Sequence, residues 1–467
     1  MGDTMRYANI VADGATSYQT IDGFGVNINS KYWDAPGFSK VMDLLIEDLG
    51  ATLYRVDIWG KSNWVDPASE RDAGVLNQST YERVYGGETF RKGWAMMRHL
   101  NEHGVQPYLT ASGDVPTWML GDDGKPSAGP DLAAVGVDDV PEGVLSDDRR
   151  LLVQYDQFVE MLVSMVEWAK MREKLDFVHF GPLNETDIGS PEGPSVSPEE
   201  YVKVVELLHR KLDERGLDDI RLVVAEQAMF NTDYVIELVE SEILEERIGA
   251  FGLHTYFDYP LETYTEVVDA IQNSPHAGAS IWLSEYGDLD QTGEKEWLIS
   301  WMSTRRLLDV LEAGFTGAMA WDAFDNYHDH NEFWTIYGLI RTGLRAFTPK
   351  KRYYAAKQVY RYVRPGFQRI DVQAGVPGLR LLGFANPERT EVTLVGMNAS
   401  TSECYLNISL QGFDSGLLSG QVGYYRTSET EDCFKVGEND VTSINYPYAG
   451  IDVCIPPRCI FTLTSVE

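Results

Sequence analysis

Residues 177–185 read Phe-Val-His-Phe-Gly-Pro-Leu-Asn-Glu, a short apolar run that ends on the carboxylate of Glu185. Residues 279–285 read Ala-Ser-Ile-Trp-Leu-Ser-Glu and repeat this arrangement, with Glu285 as the last residue. A short apolar run predicts a buried strand, so each carboxylate is expected at the rim of a sheet. In a parallel α/β barrel the carboxyl ends of the strands form the face that carries the active site. The two runs therefore predict two carboxylates on one rim.

The rest of the first 350 residues alternates apolar runs with helical patterns. Strands are expected at residues 21–28, 51–58, 105–111, 177–183, 220–225, 248–256, 279–285 and 315–321. Helices are expected at residues 38–48, 90–103, 151–174, 198–215, 234–244, 261–273 and 297–313. Eight strand–helix units in roughly 330 residues match a (β/α)8 TIM barrel. We predict that this α/β barrel spans residues 21–350.

The pattern of apolar residues changes after a last predicted helix at residues 353–363. Short alternating runs then follow one another, separated by Gly, Asn and Asp, which is typical of a β-sandwich. We therefore predict that residues 351–467 form a linking helix and a C-terminal all-β sandwich domain. Residues 1–20 carry little helical pattern and are expected to add a strand to this sandwich.

Composition limits the classes of partner. The 467 residues carry a net charge of −33, which would repel nucleic acid and anionic membranes and favours a neutral substrate. Solubility alone explains this charge equally well. Aromatic residues make up 12% of the chain, which suits carbohydrate binding because sugars stack their C–H faces on aromatic rings. Large cores also use such residues. The sequence leaves the oligomeric state open.

No run of about 18 apolar residues occurs, so no transmembrane helix is expected. Residues 1–7 lack the apolar stretch of a signal peptide. A cytoplasmic protein is therefore expected, or a secreted one if the sequence given is trimmed. The four cysteines are expected to be buried free thiols, with disulfides as the alternative, and their spacing matches no zinc pattern. They are Cys404, Cys433, Cys454 and Cys459. No cofactor is expected.

Residues 19–25, Gln-Thr-Ile-Asp-Gly-Phe-Gly, resemble the opening of glycoside hydrolase family 30. That family joins a (β/α)8 barrel to a C-terminal β-sandwich within clan A of the retaining β-glycosidases, and the resemblance covers both domains in order. It implies a hydrolase of β-linked oligo- or polysaccharides, with a neutral carbohydrate as substrate. Asn184-Glu185 resembles the pair at the end of the fourth strand, where the Glu is the acid/base. Glu285 resembles the nucleophile that ends the seventh strand.

The resemblance also implies a set of residues that contact the sugar or the nucleophile. Arg55 resembles the second-strand Arg beside the nucleophile, and His254-Thr255-Tyr256 resembles the sixth-strand His-x-Tyr. Trp321 resembles the eighth-strand Trp that forms the floor of the sugar subsite. From the family mechanism we expect Asn184 to bind the sugar 2-hydroxyl and Tyr256 to orient Glu285. Burial and the charge of Glu285 are expected to raise the pKa of Glu185.

The sequence departs from the family pattern at three places. Thr186 stands where the family commonly has Pro after Asn-Glu, and residues 111–119 lack the first of two tryptophans. Residues 59–64 lack the aspartate expected after the second strand. The resemblance therefore supports the catalytic pair more strongly than it supports any particular sugar. Trp59, Trp64 and Trp118 are candidates for subsite walls, and a loop at residues 121–148 is expected to close one end of the cleft.

Other interpretations stay open. The two glutamates could form rim salt bridges, while Arg55 could pair with an acid inside the barrel and His254 could be a core residue. Residues 327–332 could bind a metal, although a polar loop in contact with substrate is favoured. A catalytically silent carbohydrate-binding protein is the main functional alternative. An enzyme such as an aldolase would need a strand-end lysine or a phosphate-binding loop, and neither is evident.

Overall fold

The computed structural model describes residues 6–59, 78–121, 151–230, 232–328, 333–343, 346–417, 421–437 and 450–466. The first strand, β1 (Arg6–Thr20), lies outside the barrel. Eight parallel strands then close a barrel in chain order, and β2 pairs with β9 to complete it. They are β2 (Gly23–Asn29), β3 (Leu53–Trp59), β4 (Tyr108–Ser112), β5 (His179–Gly181), β6 (Arg221–Ala225), β7 (Ile248–Thr255), β8 (Ser280–Tyr286) and β9 (Gly317–Ala320). The predicted TIM barrel is confirmed.

Helices follow most barrel strands. The α-helices are α1 (Ser39–Asp43), α2 (Gln78–Tyr85), α3 (Glu88–Glu102), α4 (Tyr155–Glu167), α5 (Pro198–Glu214), α6 (Asp233–Val239), α7 (Leu261–Gln272), α8 (Glu296–Ala313) and α9 (Lys351–Tyr360). The helix predicted from residue 151 begins at Tyr155, because Leu151 and Leu152 instead form bridges with Ser195 and Leu120. The helix predicted for residues 234–244 ends at Val239 and resumes as a 3₁₀ turn.

The remaining strands build two hairpins and a second sheet. They are β10 (Asn326–His328), β11 (Phe333–Thr335), β12 (Ile340–Thr342), β13 (Phe347–Pro349), β14 (Gln368–Gln373), β15 (Leu379–Ala385), β16 (Val392–Asn398), β17 (Cys404–Gln411), β18 (Gly423–Thr427), β19 (Phe434–Lys435), β20 (Gly450–Ile455) and β21 (Cys459–Thr464). The nine-stranded mixed sheet runs β19-β18-β21-β16-β15-β14-β1-β17-β20.

The N-terminal strand occupies an interior position in this sheet. It pairs antiparallel with β14 and parallel with β17, as expected for a segment that joins the C-terminal domain. Side chains from distant strands of the sheet, among them Ile10, Tyr424 and Ile451, belong to one buried cluster, so the sheet folds around its own core. All four cysteines are free thiols; Cys404 and Cys459 are buried and the other two are half-buried. Among the described residues, no helix has both the length and the apolar character to cross a bilayer.

The barrel interior changes character along its axis. Tyr108, Val223, Ala250, Trp282 and Met319 form a buried apolar cluster inside it. Trp282 precedes Glu285 by three residues on β8, so this cluster lies on the amino-terminal side of the glutamate. Filling the interior with side chains makes the barrel a packed core rather than a pore. The polar groups of the barrel are therefore expected to gather at the carboxyl ends of its strands.

Candidate active site

Glu185 and Glu285 lie together at the carboxyl end of the barrel. Glu285 belongs to β8 and Glu185 follows β5, and their exposed fractions are 4% and 7%. One oxygen of each carboxyl group and one ring nitrogen of His254 all lie within 4.8 Å of one another. The two strand-end carboxylates predicted for one rim thus form one buried cluster with a histidine.

Glu285 is held through both of its oxygens. The guanidinium of Arg55, on β3, pairs with Oε1, and the hydroxyl of Tyr256 donates to Oε2 over 2.6 Å. Burial raises the pKa of the Tyr256 phenol well above its usual value, and the nearby charge of Glu285 adds to the effect. Tyr256 therefore remains a donor throughout the physiological range. These two contacts fix the orientation of the Glu285 carboxylate.

Glu185 occupies an unusual backbone position. Its φ of 45° lies in the left-handed region, and its N–H donates to the carbonyl of Glu226 over 2.9 Å. Non-glycine residues in this region persist where the surrounding structure enforces them. Burial raises the pKa of Glu185 to about 8, and the charge of Glu285 adds to this while His254 opposes it. Glu185 is thus a protonated acid near neutral pH.

Arg55 is the central cation of the site and is buried. Besides Glu285, it donates from Nη1 to Oδ1 of Asn27 over 2.9 Å and from Nη2 to Oδ1 of Asn184 over 2.7 Å. Asn184 uses Nδ2 to donate to the carbonyl of Glu192 over 3.3 Å. An amide nitrogen carries two protons, so Asn184 has a second one beyond this bond. Arg55 thus aligns the Asn184 amide with the two carboxyl groups.

His254 connects the carboxyl groups. Its Nδ1 lies 2.8 Å from Oε1 of Glu185, and its Nε2 lies 3.7 Å from Oε1 of both Glu226 and Glu285. Burial alone would lower the pKa of this imidazole, but the three surrounding carboxyl groups outweigh burial and raise the pKa to about 10. This shift favours an imidazolium, in which Nδ1–H donates to Glu185.

Sequence reasoning missed Glu226, which follows β6 and is 0% exposed. Its signal was present, because residues 220–226 read Ile-Arg-Leu-Val-Val-Ala-Glu, the same apolar run with a terminal glutamate. Asp57 of β3 was missed as well; it is half-buried and accepts from the Ser112 hydroxyl. Burial raises the pKa of Asp57 to about 6 against the lowering effect of Arg55.

Trp321 and Trp118 are the predicted tryptophans whose side chains lie in the described part of the chain. Trp321 directly follows β9 and is half-buried, and its backbone N–H donates to the carbonyl of Tyr286 over 2.8 Å. Trp118 lies in a 3₁₀ turn and packs against the main hydrophobic core. The side chain of Trp59, all of Trp64 and residues 122–150 and 329–332 lie outside the described part of the chain.

One group among the described residues has metal-ligand spacing, and it is Glu185, His254 and Glu285. A metal ligand must be deprotonated, whereas Glu185 and His254 both have raised pKa values, of about 8 and about 10. Arg55 and His254 already place two positive charges among the carboxyl groups. The arrangement therefore suits proton transfer beside a fixed carboxylate better than it suits chelation.

Solved structures share this two-domain fold. A family 30 endoxylanase from Clostridium papyrosolvens C71 superposes with a TM-score of 0.73 at 16% sequence identity, over 98% of this chain and 100% of that one. The endo-beta1,6-glucanase BT3312 gives 0.65 at 15% identity, over 100% and 96%. The catalytic domain of xylanase C from Talaromyces cellulolyticus gives 0.69 at 16%, over 98% and 99%. No protein-family model matches the chain, and neither does any curated protein. The predicted family 30-like fold is confirmed, and its chemistry has to be argued from the site.

Proposed function

We propose that this chain is a retaining β-glycoside hydrolase that cleaves β-linked oligo- or polysaccharides. The observation that carries this proposal is the spacing of its carboxyl groups, since one oxygen each of Glu185 and Glu285 lie within 4.8 Å. Retaining glycosidases place the two groups about 5–5.5 Å apart, whereas inverting enzymes leave about 6.5–9.5 Å for a water molecule. A closest approach of this size is nearer to the retaining spacing than to the inverting one, which favours direct attack by one carboxylate.

The reaction is a double displacement. Glu285 attacks the anomeric carbon while Glu185 gives its proton to the glycosidic oxygen, so the C–O bond breaks as a covalent ester forms. Glu185, now a carboxylate, then takes a proton from water. The resulting hydroxide attacks the anomeric carbon and releases Glu285 and the sugar. The protonation state of Glu185 supports its role as acid, because burial raises its pKa to about 8.

The neighbours of this pair support the same roles. Tyr256 and Arg55 each engage one oxygen of Glu285, which limits its rotation before attack. The second Nδ2 proton of Asn184 is suited to the sugar 2-hydroxyl, a contact that strengthens in the transition state. A neutral carbohydrate agrees with the net charge of −33 and with the half-buried Trp321 beside β8. The structural neighbours include a xylanase and an endo-beta1,6-glucanase, which favours β-linked polysaccharides.

The test is a panel of aryl β-glycosides and β-linked oligosaccharides, with Glu285→Gln beside the wild type. Turnover of at least one substrate that falls about 10³-fold or more in the variant would support the nucleophile. Glu262→Gln, an exposed site in α7, is the matched control and should keep wild-type rates. NMR of the first product formed should show retained configuration. A folded protein that binds sugars without turnover, and without a trapped glycosyl-enzyme, would instead indicate a carbohydrate-binding protein.

A further inference from the structure

Glu226 is the third carboxyl group of the site and is not needed for either step of the double displacement. Its Oε1 lies 3.3 Å from Nε of Arg55 and 3.7 Å from Nε2 of His254. Its Oε2 accepts from the hydroxyl of Tyr108 and lies 3.4 Å from Nη2 of Arg55. Glu226 therefore contacts both cations that touch Glu185 and Glu285.

The barrel wall makes room for this carboxyl group. A Cβ added at Gly181 of β5 would come within 2.8 Å of Oε2 of Glu226 and 2.3 Å of the Tyr108 hydroxyl. A Cβ added at Gly252 of β7 would come within 2.9 Å of Cγ of Glu226. These two strands flank β6, which ends just before Glu226. Both neighbouring strands thus carry glycine where the side chain passes.

Among Arg55, His254 and the three glutamates, Glu226 supplies the second negative charge. Arg55 and His254 contribute two positive charges, and Glu285 and Glu226 contribute two negative ones while Glu185 holds its proton. Burial alone would raise the pKa of Glu226, but Arg55, His254 and Tyr108 outweigh burial and lower it. Without Glu226, Arg55 and His254 would lose a carboxylate that contacts both of them, which a desolvated site disfavours.

We propose that Glu226 is a positioning residue, which keeps His254 positively charged so that its Nδ1–H is directed at Glu185. This inference rests on the proposed function, because the step it serves is the proton transfer of Glu185. Glu226 acts through His254, and it also fixes Arg55 between two carboxylates. Removing the charge of Glu226 should therefore make Glu185 and His254, as a pair, release a proton at lower pH.

Charged and titratable groups from several elements face Glu226, His254 and Glu185. Glu226 is faced by Arg55 from β3, Tyr108 from β4, Tyr201 from α5 and His254 from β7. His254 is faced by the three glutamates and by Asp187, and Glu185 is faced additionally by Glu192 and by Tyr256. Glu226 and Glu285 each place Oε1 3.7 Å from Nε2 of His254, on the side of the imidazole opposite Glu185. Of these two, only Glu226 takes no part in the proposed displacement.

The test is Glu226→Gln, which removes the charge and keeps the shape. An opposite charge at this distance shifts a titration by about 1–3 pH units, so the alkaline limb of kcat/KM should move to lower pH by about that amount. Glycosides with poor leaving groups should lose more rate than activated aryl glycosides, because only the former need the proton. Glu226→Asp keeps the charge one methylene farther away and should fall between the wild type and Glu226→Gln.

A second measurement separates this inference from the proposed function. The ¹⁵N imidazole shifts of His254, assigned with His254→Gln, report its charge without any turnover. A lower titration midpoint in Glu226→Gln supports the positioning role even if no glycoside is ever cleaved. If Glu226→Gln does not fold, Glu226→Asp must show a smaller shift in the same direction. An unmoved alkaline limb and an unmoved His254 midpoint in the folded variant would reduce Glu226 to a structural ion pair and overturn the inference.

Discussion

The hydroxyl of Tyr256 donates to Oε2 of Glu285 over 2.6 Å, on the opposite oxygen from the one that pairs with Arg55. A nucleophile held at both oxygens has little freedom to rotate away from the anomeric carbon. The hydrogen bond also stabilises the negative charge that must reform when the ester is hydrolysed. It therefore serves both halves of the proposed double displacement.

Tyr256→Phe should lower turnover while the protein remains folded. A hydrogen bond to a charged group contributes about 1.5–3 kcal/mol, which corresponds to roughly a 10- to 100-fold loss of kcat. KM should change less, because the phenol contacts the nucleophile rather than the sugar. Steady-state kinetics and the rate of labelling by a fluorosugar inactivator would measure both effects. Wild-type labelling rates in the variant would argue against this role for Tyr256.

The pH profile should report Glu185 as the acid. Its pKa is raised to about 8, so the proton needed for the first step is present below that pH and is lost above it. For substrates with poor leaving groups, kcat/KM should therefore fall about tenfold per pH unit on the alkaline side. In Glu185→Gln this alkaline limb should disappear, and kcat/KM should fall about 10²- to 10⁴-fold. An alkaline limb that persists in the variant would assign the proton to another group.

The barrel and the position of the two strand-end glutamates could be predicted because each rests on local pattern. Apolar runs of strand length that end on glutamate mark the rim of a barrel, and Glu185 and Glu285 both follow such runs. Arg55, His254 and Tyr256 could be proposed only through the family resemblance, since single polar residues inside strands also occur as core ion pairs. Their contacts with the two glutamates depend on strand register, which a single run does not encode.

Glu226 was missed for a different reason. Its apolar run has the same form as the runs before Glu185 and Glu285, but two carboxylates suffice for the chemistry. The local sequence does not determine the direction of a third carboxylate side chain. Its direction is set by the backbone, since Ala225 and Glu226 both have positive φ, of 75° and 55°, and β6 shifts register against β7. Trp118 is half-buried and packs against the main core, and its role as a subsite wall stays a prediction.

Glu185→Gln should stabilise the protein at high pH. The folded-state pKa of Glu185, about 8, lies above the ordinary value of 4.5, so its favourable contribution to stability is complete below pH 4.5 and is lost as the pH rises through 8. The amide has no such titration. The variant should therefore gain on the order of a few °C in Tm relative to the wild type at pH 9, and little at pH 5. A Tm difference that does not change between these two pH values would contradict the buried, protonated state of Glu185.

Arg55 and Glu226 should be energetically coupled. Arg55→Gln leaves Glu226 and Glu285 without their buried cation, which should lower the free energy of unfolding by about 3–5 kcal/mol. Adding Glu226→Gln removes one of these unpaired charges, so the double variant should be more stable than the sum of the single losses by about 1–3 kcal/mol. Urea unfolding at pH 7 would measure the cycle.

The control pair is Lys92 and Glu88 on α3, which lie 2.9 Å apart with the Glu88 side chain exposed to solvent. Its coupling should be below about 1 kcal/mol. Equal coupling in the two cycles would mean that the buried pair gains nothing from its position at the centre of the site.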